Sequence, residues 1–287
     1  MPADSHPDLP ADLADQVRRA LAEDLGSGDL TAALVPATQA AVAAIITRQD
    51  AVLCGQAWVS EVFRQLDPAI GIAWQVAEGM RVAAGTRLCE LRGPARPLLS
   101  GERTALNFLQ TLSATATATR AYVDAVAGTR ARILDTRKTI PGLRLAQKYA
   151  VRIGGAHNHR IGLFDAILVK ENHIMAAGSI AAAVAAARRQ SPGVLLEVEV
   201  ETLAQAAEAF AAGADRLLLD NFSLAQMADA VRLRDARSPG TGIEASGGIT
   251  LAGIRAVADT GVDFISIGDV TKNIRAVDLS MRFGFAG

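Results

Sequence analysis

Residues 135–173 read DTRKTIPGLRLAQKYAVRIGGAHNHRIGLFDAILVKENH, from Asp135 to His173. The stretch carries seven Arg and Lys residues against three acids, and three of the chain's four histidines. Two β-type runs lie in or beside it, RILD and AILV, and cations follow both: Arg137 and Lys138 after the first, Lys170 after the second. Cations at strand ends, rather than along a helix face, predict a pocket built for an anion. Taken alone, a basic run is equally well a solvated surface, so the flanking sequence has to decide.

Outward from this stretch, short apolar runs alternate with helical patterns. The runs are RILD (132–135), AILV (166–169), LLEVE (195–199), RLLLD (216–220), IEAS (243–246) and FISIG (264–268). Helical spacing covers Ile180 to Arg189, Leu203 to Ala212, Leu224 to Arg237 and Leu251 to Thr260. Near-continuous apolar strands alternating with helices imply parallel strands covered on their outer face. About six strands are countable, so a barrel short of eight is expected.

The sequence before this region is patterned differently. Residues 1–10 are expected to fray. Leu9 to Leu25 has helical spacing and ends at Gly26-Ser27-Gly28. AAVAAIITRQDAVLCG reads as strand, turn, strand, and Gln56 to Leu66 as a helix stopped by Asp67-Pro68. GIAWQVAEG and MRVAAGTRLCELRGP are short β runs punctuated by glycine. Pro97 to Ala127 is a long helical stretch with an expected break near Ser113. The division predicted is an N-terminal α+β domain over 1–115, joined by a C-terminal tail, 270–287, whose AVDLSMRFGF alternation suits an edge strand, and a βα domain over 116–269.

Bulk composition excludes several functions. The 287 residues are 50% apolar, enough for a sizeable core, with 29 basic against 30 acidic side chains and a net charge of −1. A sequence-independent nucleic-acid binder would carry a basic excess, and 4% aromatics leave little for base stacking. No apolar run approaches the roughly 18 residues of a membrane span. The acidic, proline-bearing N-terminus is unlike a signal peptide. Cys54 and Cys89 lack metal or disulfide spacing and read as buried small hydrophobes in a reducing compartment. A soluble cytoplasmic protein is expected, with neither nucleic-acid nor membrane partners.

The strand ends carry the chemistry, because functional groups of βα barrels sit at the C-terminal ends of strands. Here those positions hold Asp135, Thr136, Arg137 and Lys138; Lys170 and Glu171; Glu199; Asp220 and Asn221; Ser246, Gly247 and Gly248; and Gly268. Any one of them is unremarkable as a loop residue. Polar or charged groups at nearly every one of the six ends point to a functional ring. Ser246-Gly247-Gly248 before a helix is a phosphate-cradle pattern. Arg137, Lys138, His159, Arg160 and Lys170 suit further anionic groups. Glu199 and Asp220 suit Mg²⁺ or ribose hydroxyls. His157 and His159 have no partner at zinc-site spacing. Lys170 is also placed for Schiff-base chemistry.

These residues fall in motifs that resemble one family, quinolinate phosphoribosyltransferase: SGERTALNFLQ (100–110), DTRKTIPGLR (135–144), NHRIGLFDAILVKENH (158–173), EVEVE (197–201), LLLDNF (217–222), ASGGIT (245–250) and TGVDFISIG (260–268). The resemblance runs in order from Asp29-Leu30-Thr31 to Asp278-Leu279-Ser280-Met281. It implies an α/β fold: an N-terminal α/β sandwich domain plus an incomplete, seven-stranded α/β barrel. It also implies the joining of quinolinate to phosphoribosyl pyrophosphate, with Mg²⁺, giving nicotinate mononucleotide, pyrophosphate and CO₂. By resemblance, Arg103, Arg137, His159, Arg160 and Lys170 surround the quinolinate carboxylates, and Lys138 and Lys170 neighbour the phosphoribosyl donor. Lys138, Lys170, Glu199 and Asp220 are the catalytic set, with Glu199 and Asp220 holding ribose hydroxyls or the metal. Thr136, Ser246, Gly247, Gly248, Ile267 and Gly268 complete the substrate contacts. Arg103, which by itself reads as a snorkelling or ion-paired surface group, is implied to reach the partner's site in a homodimer or higher homo-oligomer.

One departure stands out. Where many relatives read ALTH or ALTKH after the glycine, this chain has Asp269-Val270-Thr271-Lys272-Asn273; an added acid there is expected to weaken donor binding. Two rival readings remain, a lyase or aldolase using Lys170 as a Schiff base and a non-catalytic polyanion-binding homologue.

Overall fold

The structure, a computed structural model, describes residues 7–285. The fraying expected over residues 1–10 falls, for residues 1–6, outside the described residues. The first elements in chain order are α1 (Leu13–Leu25), β1 (Ala40–Thr47), β2 (Ala51–Val52), α2 (Gln56–Leu66), β3 (Gly71–Trp74), β4 (Arg81–Val82), β5 (Arg87–Pro94) and α3 (Ala95–Ala125). Then come β6 (Arg132–Leu134), α4 (Arg144–Ile153), β7 (Ile167–Val169), α5 (Glu171–Ala177), α6 (Ile180–Gln190), β8 (Leu196–Val200), α7 (Leu203–Ala212), β9 (Arg216–Asp220) and α8 (Leu224–Arg237). The last are β10 (Gly242–Ser246), α9 (Ile254–Asp259), β11 (Phe264–Ser266), α10 (Asp269–Lys272) and β12 (Leu279–Phe285). Packing separates two units: residues up to 120 with 139–155 and 269 onward, and 121–138 with 156–268.

The first unit is built on an antiparallel sheet of order β12-β1-β5-β3, beside a β2-β4 pair. The tail does return as an edge strand, with Ile45 of β1 opposite both Met281 and Cys89. Trp58, Phe63, Leu88, Leu91, Leu106 and Leu109 are fully buried in its core. The Trp58 indole N–H donates to Gln16 at 2.9 Å, so its one polar group stays satisfied. Burial pushes both thiols up, Cys89 to about 12, which keeps them protonated and inert as read from sequence.

Two expectations are corrected here. α3 is unbroken at Ser113. Ser113 Oγ accepts the Cys54 N–H at 3.0 Å, while Thr117 and Thr119 donate to the carbonyls of Ser113 and Thr115. Hydroxyls satisfied along the helix remove the reason for a break. Residues 139–155, assigned by sequence to the barrel, pack instead in the first unit. α4 sets Ala146, Tyr149, Ala150 and Ile153 into that core, with the Tyr149 ring 5.3 Å from Trp58.

The second unit is a parallel sheet of order β6-β11-β10-β9-β8-β7, whose six strands are the six runs read from sequence. The seventh strand of the expected barrel survives only as a parallel bridge between Leu134 and His157, too short to show as a run of β-formers. Capping boxes at Thr202–Gln205 and Ser223–Gln226 start α7 and α8 directly after β8 and β9. Residues alternate along each strand. Leu217, Leu219, Ile243 and Ala245 are fully buried on the helix-covered face. Arg216, Leu218 and Asp220 on β9, and Gly242, Glu244 and Ser246 on β10, occupy the other. Register sets Asp220 beside Ser246. Among the described residues, no helix is long and apolar enough to cross a membrane.

Candidate active site

A cavity of about 430 Å³ opens at the strand ends of the second unit. Thr136, Arg137, Lys138, His159, Arg160, Lys170, Glu199, Asp220 and Ser246, all singled out from sequence, line it together. Its remaining lining is Leu168, Leu218, Glu244 and Ser266. Gly247 and Gly248 follow Ser246 with φ of 98° and 58°, and Ile267 is buried, its N–H donating to the Leu134 carbonyl at 2.8 Å. Arg103 is exposed on α3 in the first unit. Asp269 and Asn273, the departing pair, are joined side chain to side chain.

Local structure explains how each group is aimed. The Lys138 N–H donates to Thr136 Oγ1 at 3.0 Å, which turns the chain after β6. Asp135, fully buried, accepts the His159 N–H at 2.8 Å and the Asn158 amide at 2.7 Å, fastening the 157–160 segment to β6. The Lys170 N–H donates to His173 Nδ1 at 2.9 Å, which accounts for the histidine three residues beyond the lysine. Lys170 Nζ forms an ion pair with Glu199 across the rim from β7 to β8. Asn221 alone among the described non-glycine residues has positive φ, 57°. In that pose its N–H donates to the Ser246 carbonyl and its side chain to Asp220.

Four cations, Arg137, Lys138, Arg160 and Lys170, thus face one hollow. Burial and then the nearby Arg137 push the Arg160 guanidinium below its usual value. Mutual repulsion of this kind is relieved when an anion enters.

Beneath the rim lies a group that sequence reasoning missed. Glu197 of β8 and Glu244 of β10 are buried beside His159, whose Nε2 is 2.9 Å from Glu197 Oε2 and 3.5 Å from Glu244 Oε2. Arg216 on the intervening β9 donates to Glu244 at 3.3 Å and stacks over Phe264 at 4.0 Å. The usable signal was a buried glutamate inside each of two strands, Glu197 in LEVEV and Glu244 in GIEAS, with an arginine opening RLLLD between them.

Burial first, and Glu197 second, push the Glu244 carboxyl up to about 8; burial also raises Glu197. The sign follows from proton binding. Folded Glu244 holds a proton that unfolded Glu244 releases near 4.5. Its contribution is therefore complete below about 4.5 and is lost as pH rises to about 8, by at most about 1.4 kcal/mol per pH unit. Glu244→Gln, which copies the neutral acid, is expected to flatten the fall of Tm over that window and to melt above the wild type at its alkaline end. Calorimetry at several pH values checks this, and an unchanged slope removes Glu244 as the titrating group.

Comparison with known proteins agrees with this geometry. Residues 29–113 match the family described as quinolinate phosphoribosyl transferase, N-terminal domain, and residues 115–282 its C-terminal domain. The chain is 42% identical over 274 residues to a nicotinate-nucleotide pyrophosphorylase [carboxylating] of Mycobacterium leprae, covering 93% of this chain and 95% of that one. It is 40% identical over 254 residues to the Homo sapiens protein of the same name, covering 88% and 85%. The solved nicotinate-nucleotide pyrophosphorylase from Francisella tularensis superposes with a TM-score of 0.91 at 46% identity, covering 99% of this chain and 100% of that one.

Proposed function

The chain belongs to the quinolinate phosphoribosyl transferase family, and on that premise we propose that its barrel cavity joins quinolinate to phosphoribosyl pyrophosphate and releases CO₂, a step of NAD biosynthesis. The observation that carries the assignment is the convergence of Arg137, Lys138, Arg160 and Lys170 on one cavity. Both substrates are polyanions that repel each other in water. A cationic hollow offsets that repulsion and holds them as near neighbours.

The residues divide the work by chemistry. Arg137, Arg160 and Lys170 take the quinolinate carboxylates, the arginines by forked hydrogen bonds. Lys138, exposed at the rim, faces the pyrophosphate. Backbone N–H groups of Ser246-Gly247-Gly248, with Ile267 and Gly268 beyond β11, cradle the 5′-phosphate. Glu199 and Asp220 accept ribose hydroxyls. Their hard carboxylate oxygens also fit Mg²⁺, which is commonly held by one or two carboxylates plus substrate phosphates. When bound, that ion neutralises the departing pyrophosphate.

The pyridine nitrogen attacks C1 of the ribose as the C1–O bond to pyrophosphate breaks, through a transition state of oxocarbenium character. The ring nitrogen becomes positive. It then stabilises the electron pair left on the adjacent carbon when its carboxylate leaves as CO₂, and that carbon takes up a proton. No protein nucleophile is required. Lys170 is engaged by Glu199, which suits an electrostatic role better than attack on a carbonyl.

The test is product formation. Purified protein with both substrates and Mg²⁺ is expected to yield nicotinate mononucleotide and CO₂ in equal amounts; neither product at millimolar substrate overturns the assignment. Arg137→Ala is expected to raise the quinolinate KM by about a hundredfold, the worth of a desolvated charge-assisted pair, with the phosphoribosyl pyrophosphate KM within about threefold. An unchanged quinolinate KM would remove Arg137 from the pocket. A homodimer in a cytoplasmic setting, with Arg103 of each chain serving its partner's cavity, completes the proposal; it is supported by the exposure of Arg103 on α3 and by the family resemblance of the SGERTALNFLQ segment.

A further inference from the structure

A second cavity, of about 460 Å³, opens at the opposite end of the parallel strands. Its lining belongs wholly to the second unit. Arg132 opens β6, Gly242 opens β10 and Phe264 opens β11, three strands adjacent in the sheet. Arg130 and Arg234 join them in the lining, with Asp263 and the turn at Pro239-Gly240-Thr241. Arg132 and Phe264 are register partners, so their side chains share one face of the sheet. Gly242 keeps that face open, since a Cβ there would stand 3.1 Å from Phe264 Cε2.

This end of a βα barrel ordinarily serves stability, and part of the cluster does so. Asp263 Oδ2 accepts from Arg234 Nη1 at 2.6 Å and from the Ile243 N–H at 2.9 Å, and its Oδ1 pairs with Arg130. Arg234 Nε donates to Asp235 at 2.5 Å. A network built for stability alone would balance its charges, yet here three guanidinium groups meet two carboxylates. The Arg132 guanidinium forms no hydrogen bond or ion pair among the described residues. Arg234, 2% exposed, keeps its Nη2 without a partner, and a buried donor left unmade costs stability. Donors therefore exceed acceptors around one hollow, and the deficit is of the kind that a multivalent oxyanion fills.

We propose that this cavity binds a phosphate group, free or as the end of a phosphate monoester, held by the guanidinium groups of Arg130 and Arg132. It is a second anion site, on the far side of the sheet ends from the strand-end cavity. The proposal stands whether or not that cavity turns over quinolinate.

Equilibrium dialysis of the full chain against ³²P-labelled inorganic phosphate at low salt, where screening is weak, reads the number of sites. The wild type is expected to bind two phosphates per chain saturably, one at each end of the strands. Arg132→Gln is expected to weaken one of them about tenfold or more and to spare the other. Arg137→Gln combined with Lys138→Gln is expected to do the reverse. Because the Arg132 guanidinium has no partner to lose, Arg132→Gln is expected to melt within a few degrees of the wild type when phosphate is absent. The rise in Tm that phosphate produces is expected to persist in the Arg137→Gln, Lys138→Gln chain and to shrink in Arg132→Gln. An isotherm that Arg132→Gln leaves unchanged, or one that never saturates, overturns the proposal. A single site that Arg132→Gln removes upholds it, and counts instead against phosphate binding by the strand-end cavity. The source is read in the Arg137→Gln, Lys138→Gln chain. Displacement of the label by adenosine monophosphate at about tenfold lower concentration than by ribose 5-phosphate assigns a nucleotide whose base rests against Phe264; equal displacement assigns the phosphate group alone.

Discussion

Mixed in equal amounts and allowed to exchange subunits, two inactive variants, Arg103→Ala and Arg137→Ala, are expected to recover about a quarter of wild-type activity. Each variant alone is expected to fall about a hundredfold or more at subsaturating quinolinate, because each loses one guanidinium that a carboxylate needs in a desolvated hollow. The recovery follows from where the two groups reside. Arg137 lines the cavity of its own chain, and Arg103 is exposed on the long helix of the first unit. If Arg103 serves the partner, a mixed dimer has one cavity with both arginines intact and one with neither. Half the dimers in a random mixture are mixed, and half their sites are whole, which gives the quarter. If Arg103 acts within its own chain, every cavity lacks one arginine and mixing recovers nothing. Activity measured against mixing ratio therefore separates the two arrangements without knowledge of the interface.

The barrel was legible because its signal is local. Each strand is a short apolar run ending in a polar group, and each of β6 to β11 coincides with one such run. What escaped depends on tertiary placement. The seventh strand is a one-residue bridge at His157, with no periodicity to read. α4 carries helical spacing whichever unit it joins, and only packing of Tyr149 against Trp58 reveals its home. The cationic rim was legible because Arg137, Lys138 and Lys170 sit within four residues of the ends of β6 and β7. Glu197 and Glu244 were not, because two glutamates 47 positions apart in the numbering become neighbours only when β9 separates their strands in the sheet. His159 shows the same limit: that its Nδ1 accepts the Arg160 N–H at 2.7 Å is set by the turn after the bridge and not by residue type.

Gly247→Ala is expected to be the most damaging single-methyl change in the second unit, and Gly248→Ala a mild one, although the two are adjacent. A Cβ at 247 would lie 2.2 Å from Asn221 Oδ1 and 3.0 Å from the Asn221 backbone nitrogen, on a backbone with φ of 98°. Asn221 cannot readily yield. Its own φ is 57°, its N–H is spent on the Ser246 carbonyl at 3.1 Å, and its amide donates to Asp220 at 3.0 Å. Relief of the clash therefore pulls apart the ends of β9 and β10 and moves Asp220, the carboxylate proposed above to accept ribose hydroxyls. At Gly248 a Cβ would meet nothing within 4 Å, and φ of 58° is a conformation L residues adopt at a cost of about 1–2 kcal/mol. Gly247→Ala should thus lower Tm and reduce kcat/KM for phosphoribosyl pyrophosphate by about a hundredfold or more, with quinolinate binding weakened less, since the cations proposed for it follow β6 and β7 or lie in the 157–160 segment. Gly248→Ala should melt within a few degrees of wild type, with any loss confined to the phosphoribosyl pyrophosphate KM. If the two alanine variants behave alike, the lacing of Asn221 to Ser246 and Asp220 is not what shapes the phosphate loop, and the strand-end register loses its place in the donor site.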